Sequence, residues 1–289
     1  MNKEFKILRK KLRPVKIIYF KTLDIISKLL IKFIPNIILD ASLERKKFCK
    51  KGTVSFSLRD YGKICRFRVK TFLEKEPDTL KWIESFNKNS IFIDVGANMG
   101  IYSLYASHFV NKVYCFEPDS LNYSLLNLNI LDNQLSDKVF AYSIALHNSS
   151  GFDKLNIQKY QYGGALSTFH FKEDQFKKKF YPSFQQGAYS LNLEYIFESL
   201  IKPNVKINQE IHCKIDVDGN EKYILDGSKK ILENKIIKSF LVELDNTRDD
   251  YIEVINMFKF YDYSLVSKKS SPIFSDFFET TQNHIFYAN

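Results

Sequence analysis

The sequence predicts an α/β protein, a mostly parallel sheet with helices on both faces. Three observations carry this. From Ser90 onward, short apolar runs alternate with segments whose apolar residues fall at helical spacing. The run Ile91-Phe92-Ile93 ends in Asp94 and passes straight into a glycine turn, Gly96 to Gly100. Ile101, Leu104, Tyr105 and Phe109 then recur as one helix face, giving strand, tight turn and helix. Such a turn aims backbone N–H groups at whatever sits beyond the sheet edge, which suits a nucleotide-like ligand.

Residues 1–50 read as a basic, amphipathic helical extension. The chain carries a net charge of +10, and "KEFKILRKKLRPVK" and "ERKKFCKKG" hold much of it. Residues 15–34 are apolar, but Lys16, Asp24, Lys28 and Lys32 interrupt them at multiples of four. A helix lying on a surface fits that pattern better than one spanning a bilayer. Peripheral membrane contact through 15–34 is one expectation; packing on its own domain or on a partner subunit is the other. No small-residue cleavage site follows, so a secretory signal is not expected. No zinc finger or RNA-binding signature accompanies the charge, so no specific nucleic-acid partner is expected either.

Residues 51–289 form the main domain. Alternation over 52–71 around Asp60-Tyr61-Gly62 reads as a β-hairpin. "EPDTLKWIESF" opens a helix at Glu-Pro, and a core follows over 76–289. Strands are expected at 91–94, 112–117, 138–144, 211–217 and 238–244, with "HIFYAN" closing the sheet. Helices are expected at 100–109, 119–130, 221–233 and 249–258. Residues 150–190 read as an elaborated strand pair and loop near the ligand. The four cysteines show no C-x-x-C pair; Cys115 and Cys213 fall in apolar runs as small buried hydrophobes. A reducing, cytoplasmic setting fits that usage.

A nicotinamide-binding turn usually reads G-x-G-x-x-G. Here the pattern is Asp94-x-Gly96-x-Asn98-x-Gly100, an acid at the strand end before a spaced turn. S-adenosylmethionine has no pyrophosphate but carries an ammonium and a sulfonium, which a nearby carboxylate suits. Gly96 and Gly100 would let the backbone pass close to the cofactor. Asn98 would tolerate a left-handed conformation or bond the cofactor's carboxylate. Glu117 ends "KVYCFEPD" on the next strand, where such folds place an acid against ribose hydroxyls.

The chain at this point resembles the FkbM-type S-adenosylmethionine-dependent methyltransferases. The resemblance runs from about Glu76 to the C-terminus through "EPDTLKWI", "FIDVGANMGIYSL", "VYCFEPDSLNYSLLNLNI", "YGGAL", "KIDVDGNEKYILDG" and "HIFYAN", in the family's order. It implies a Rossmann-like class I methyltransferase fold and, most often, methylation of a hydroxyl, commonly on a sugar. A surface polysaccharide or related glycan is the acceptor this suggests. It says nothing of the first fifty residues.

Ligands in such sheets bind beyond the carboxyl ends of the strands. Ser143, Ile144 and Ala145 follow the third strand and would flank the adenine. Asp216, Asp218 and Glu221 follow the fourth; Glu243, Asp245 and Asn246 follow the fifth. An alcohol is a poor nucleophile at neutral pH, so a base or a metal is needed. Asp216 or Asp218, with Asp245 and Asn246, would supply hard oxygen ligands for Mg²⁺. Alternatively Asp218-Gly219-Asn220 is only a turn before the next helix, and Asp216, Asp218, Glu221 or His170 is the base. The resemblance places Gly163-Gly164 near the acceptor pocket, where Tyr160 and Tyr162 would stack on a sugar. The Lys177-Lys178-Lys179 run reads as solvated surface. Two other readings stay open: a nicotinamide-dependent oxidoreductase, and a basic membrane- or nucleic-acid-associated protein with a degenerate cofactor pocket.

Overall fold

The structure, a computed structural model, describes residues 19, 21–23, 25–30, 34–173, 178–272 and 280–289. Lys177 and much of the expected helix over 15–34 lie outside the described residues. The chain divides into two compact units, Met1–Arg45 and Lys46–Asn289.

In the smaller unit, residues 25–30 are helical and a second helix, Asn36–Leu43, starts immediately after Pro35. Proline fits there because the first turn has no use for its missing N–H. No residue of Asn36–Leu43 is buried. Ile25, Leu29, Leu30, Ile37 and Ile38 are all exposed, Ile37 at 77%. No helix among the described residues is long and apolar enough to cross a membrane.

The larger unit opens with an antiparallel hairpin of β1 (Lys46–Lys51) and β2 (Val54–Arg59). The expected hairpin over 52–71 is therefore corrected. The tight turn is Gly52-Thr53, with Gly52 at φ +58°, and residues Lys63–Lys70 form a helix instead of a return strand. Gly62, at φ +121°, ends the extended stretch, and the helix buries Cys65. Its apolar residues 64, 65, 67 and 69 fit a strand as well as a helix, which is why alternation misleads there.

The main sheet contains β3 (Ile91–Val95), β4 (Lys112–Phe116), β5 (Val139–Tyr142), β10 (Ile211–Ile215), β11 (Ser239–Asp245), β12 (Tyr263–Ser270) and β13 (Thr281–Ala288). Between β5 and β10 the chain forms β6 (Ala145–Leu146), β7 (Gly151–Ile157), β8 (Thr168–Phe169) and β9 (Phe184–Leu191). The main sheet runs β12-β13-β11-β10-β3-β4-β5. From β11 to β5 all neighbours are parallel, and β13 is antiparallel to both of its neighbours. Burial on both faces explains why the central strands are nearly continuous apolar runs. Phe92 packs into one layer with Leu104, Tyr105 and Leu126, while Ile91, Ile93 and Val95 pack into the other with Ile215, Ile224 and Phe240.

The strand and helix expectations from Ser90 onward match these elements to within a few residues, with two differences. The expected helix 221–233 is two, Glu221–Asp226 and Lys229–Glu233, interrupted at Gly227-Ser228. A Cβ on Gly227 would lie 2.8 Å from the carbonyl oxygen of His147, so close packing favours glycine there. Strand β12 was not expected; it lies at the sheet edge, mostly exposed, and its "SKKS" stretch has no apolar pattern. The 150–190 region forms the strand pair anticipated, β7 antiparallel to β9, within a second sheet of order β6-β9-β7-β8.

Candidate active site

The strand order reverses direction at β3, whose neighbours β4 and β10 are reached by connections on opposite sides. A crevice beyond the carboxyl ends of these strands is the expected ligand site. The turn after β3 is held from both sides. Gly96 and Ala97 donate backbone N–H groups to the Phe116 carbonyl at 2.9 and 3.2 Å, and Asp216 N donates to Val95 O at 3.1 Å. A Cβ on Gly96 would stand 1.9 Å from the Asp216 carbonyl oxygen, and φ is +81°. Only glycine fits. Asn98 is left-handed (φ +53°); its N–H donates to Glu117 Oε2 at 2.7 Å and its Nδ2 to Gly164 O at 2.5 Å.

These elements enclose a cavity of about 430 Å³, within the range of small-molecule sites. Its first part combines Glu117 with the apolar Phe116, Pro118, Ile144, Ala145 and Leu146. Glu117 accepts N–H groups from Asn98 and Asp119 (2.9 Å), yet burial pushes its carboxyl up to about 8. Spare lone pairs on a desolvated carboxylate, beside an apolar wall, fit the ribose hydroxyls and base of an adenosine.

The second part is charged. Glu76, Asp216 and Glu243 line it, with carboxylate oxygens within 4.8 Å of one another. Lys75 pairs with Glu76 at 2.6 Å, and the buried Lys214 pairs with Asp216 at 2.6 Å while its ammonium lies 5.2 Å from the Tyr102 ring. Burial opposes ionisation of Asp216, but Lys214 and Lys75 outweigh it and hold the carboxyl at about 2. Glu243 makes no ion pair among the described residues: burial and the Asp216 charge outweigh the Lys75 charge and raise it well above the usual carboxylate range. Asp218, left-handed at φ +56°, accepts the Leu166 N–H at 2.6 Å; burial and Asp216 push it up to about 6.

Several expected site residues do not line this cavity. Asp94 is 1% exposed and accepts from Ser103 Oγ at 2.5 Å; its other oxygen has no partner among the described residues. It still belongs to β3, so its side chain stands off the sheet face instead of off the strand end. Gly100, at φ +86°, is required by the core: a Cβ there would come within 2.4 Å of Leu126 Cδ1. Asn98 lines the cavity, but its amide is committed to Gly164 and Met99. Ser143 is exposed, whereas Ile144 and Ala145 line the wall as expected. Glu221 is buried and accepts the N–H groups of Val217 and Gly219, each at 3.1 Å, closing the loop after β10. His170 is exposed and bonded to Asp153, which takes it out of the cavity. Tyr162 packs edge-on against Tyr61 and Tyr160 against Phe184; neither lines the cavity, although Gly163-Gly164 does.

The magnesium set is not assembled. Asp245 accepts from the hydroxyls of Thr247, Thr280 and Thr281, and Asn246 is exposed. Glu243, two residues earlier on β11, lines the cavity, whereas Asp245 does not.

Arg68, Lys75, Glu76 and Lys214 were not foreseen as site residues. The first three sit between β2 and the helix Pro77–Glu84, which Trp82 fastens to the sheet through Ser239 Oγ at 2.9 Å. A lysine inside the fully buried strand β10 was the one signal available for Lys214.

Residues 94–265 match the methyltransferase FkbM domain, well over half of the chain. The chain belongs to this family. It is an S-adenosylmethionine-dependent methyltransferase with a class I, Rossmann-like fold. No curated protein matches the FkbM-domain chain in sequence. Among solved structures, TrmK of M. capricolum, in complex with its cofactor product S-adenosyl-homocysteine, is 12% identical with a TM-score of 0.43, covering 73% of this chain and 67% of that one. The M. jannaschii tRNA m1G37 methyltransferase is 10% identical (TM-score 0.42), covering 84% of this chain and 57% of its own. An rRNA methylase from Streptococcus thermophilus is 10% identical (TM-score 0.41), with coverages of 73% and 92%.

Proposed function

We propose that this FkbM methyltransferase methylates a hydroxyl of a carbohydrate acceptor, a surface polysaccharide or a related glycan. The observation behind the reading is the two-part cavity, an apolar wall with Glu117 at one end and a carboxylate-rich end beside it. When bound, S-adenosylmethionine supplies a methyl group on a sulfonium centre. Glu117 would hold the ribose hydroxyls, and Ile144, Ala145 and Leu146 the base. At the other end, Gln158 and Gln161, Thr281 and Asn283, and the carboxylates of Asp218 and Glu243 offer the acceptors and donors a polyol needs.

Proton removal from the acceptor hydroxyl needs a carboxylate with a free lone pair and a raised pKa. Asp216 is held ionised by Lys214 and is a poor base for that reason. Asp218 and Glu243 line the cavity and are both raised, so the proton would pass to one of them. Incubation with methyl-labelled S-adenosylmethionine and a panel of glycans tests the acceptor class. Alkali-stable label on sugar hydroxyls supports the reading; label on RNA or protein alone overturns it.

We also propose that the N-terminal unit holds the enzyme at an anionic bilayer surface. Its 45 residues carry eleven Lys and Arg against four Asp and Glu, and the apolar side chains of Ile25, Leu29, Leu30, Ile37 and Ile38 stand exposed among them. Basic charge with exposed apolar side chains is the combination that binds acidic lipid surfaces.

A further inference from the structure

We propose that Arg68 recognises the carboxylate of the cofactor's amino-acid tail; the assignment rests on the S-adenosylmethionine reading above. Arg68 lies on the helix Lys63–Lys70 and lines the cavity. Its Nε donates to Gly163 O at 2.9 Å. The next carbonyl, Gly164 O, accepts from the side chains of Asn98 (2.5 Å) and Asn122 (3.1 Å). The two glycine carbonyls therefore fasten the guanidinium beside the turn that follows β3.

Among the described residues its fork is otherwise uncommitted. In the larger unit, Arg59 sits on Asp132, Arg66 on Asp60 and Arg248 on Asp250, whereas Arg68 has no carboxylate within ion-pair distance among the described residues. Of the cavity's lysines, Lys75 is taken by Glu76 and Lys159 is solvent-exposed. An arginine anchored through Nε presents its remaining N–H groups in a rigid fork that matches a carboxylate. The cofactor's tail is a zwitterion, and the charged end of the cavity is zwitterionic as well. Glu76 and Asp216 answer the ammonium. The carboxylate needs a cation that is not already paired, and Arg68 is that cation.

Calorimetry on the full chain tests this with three probes. S-adenosyl-homocysteine has both tail charges, decarboxylated S-adenosylmethionine keeps the ammonium only, and 5′-methylthioadenosine has neither. In Arg68→Gln, S-adenosyl-homocysteine should bind about ten- to a hundred-fold more weakly, the range for loss of a charge-assisted bond. The other two probes should change by no more than about two-fold, and Arg68→Lys should recover part of the loss. Unchanged S-adenosyl-homocysteine affinity overturns the proposal and leaves the fork to an acidic acceptor. Equal loss for all three probes also overturns it, because the Gly163 contact then acts only on the fold. If the unaltered protein binds none of the three, the cofactor reading itself fails, an outcome distinct from either.

Discussion

The backbone N–H of Asn98 donates to Glu117 Oε2 at 2.7 Å, so one carboxylate both ties the turn after β3 to the end of β4 and faces the cavity. Two variants separate these roles. Glu117→Gln keeps one acceptor oxygen and should lose cofactor affinity by about ten-fold or more, since it loses the charge that ribose hydroxyls bond. Glu117→Ala removes both N–H partners and should also destabilise the fold by about 1–3 kcal/mol. Calorimetry with S-adenosyl-homocysteine, alongside urea unfolding, reads the two effects apart.

The same carboxyl predicts a pH dependence. Burial raises it to about 8, so the free protein holds it protonated below that pH. Hydroxyls donating to it favour the ionised form, so binding lowers its pKa and releases a proton. Affinity for S-adenosyl-homocysteine should therefore rise with pH and level off above about 8. The free protein behaves oppositely. A carboxyl raised in the folded state contributes stability that is full below its ordinary value of 4.5 and lost as pH climbs through about 8. Titrations at several pH values, in buffers of different ionisation enthalpy, would detect the proton, and Glu117→Gln should abolish it.

Lys214 and Asp216 form a buried pair at 2.6 Å, with Asp94 adding to the field on the lysine. Lys214→Met should destabilise by about 3–5 kcal/mol, because it strands buried carboxylate charge. The sign with pH follows from Asp216, which is depressed to about 2. Its contribution is present above 3.8 and fades as pH falls toward 2, so the gap between variant and parent should narrow in acid. Urea midpoints measured from neutral to acid pH check both the size and the trend.

How much of this was legible follows residue by residue. The strands from Ile91 onward read clearly because a sheet buried on both faces leaves apolar runs that little else produces. Glu117 was legible as the first residue past β4, where a side chain overhangs the sheet edge. Asp94 looked equivalent but remains within β3, and the pleat, not the sequence spacing, directs it to Ser103. On β11, Glu243 lines the cavity while Asp245 is taken up by the hydroxyls of Thr247, Thr280 and Thr281, a difference that strand spacing does not reveal. Arg68 and Glu76 were hidden for another reason. They reach the cavity from a helix that alternates like a strand and from a helix cap, and only tertiary packing brings these to the sheet edge.

The glycines should rank by what surrounds them. Gly96→Ala drives a Cβ to 1.9 Å from the backbone oxygen of Asp216, which cannot move without parting β3 from β10. Loss of more than about 4 kcal/mol, or failure to fold, is expected. Gly100→Ala meets Leu126 Cδ1 at 2.4 Å, a side chain that can rotate, so a smaller loss is expected. Gly52→Ala meets nothing within 4 Å and should cost only the left-handed backbone, about 1–2 kcal/mol. Thermal melts of the three variants would test the order.

The charge and exposed apolar residues of the N-terminal unit predict binding to vesicles of phosphatidylglycerol in phosphatidylcholine, and weak binding to phosphatidylcholine alone. Raising the salt should weaken the interaction, since screening acts on the electrostatic part. Ile37→Asp with Ile38→Asp should weaken it at low salt as well, because both side chains are exposed on the helix Asn36–Leu43 and carry its apolar contact. Neither residue packs in a core, so the thermal midpoint of the double variant should stay within about a degree of the parent, surface changes of this kind being worth under about 0.5 kcal/mol. Flotation assays give the readout. Equal flotation with neutral and acidic vesicles would rule out the charge argument, and an unaltered double variant would rule out the apolar one.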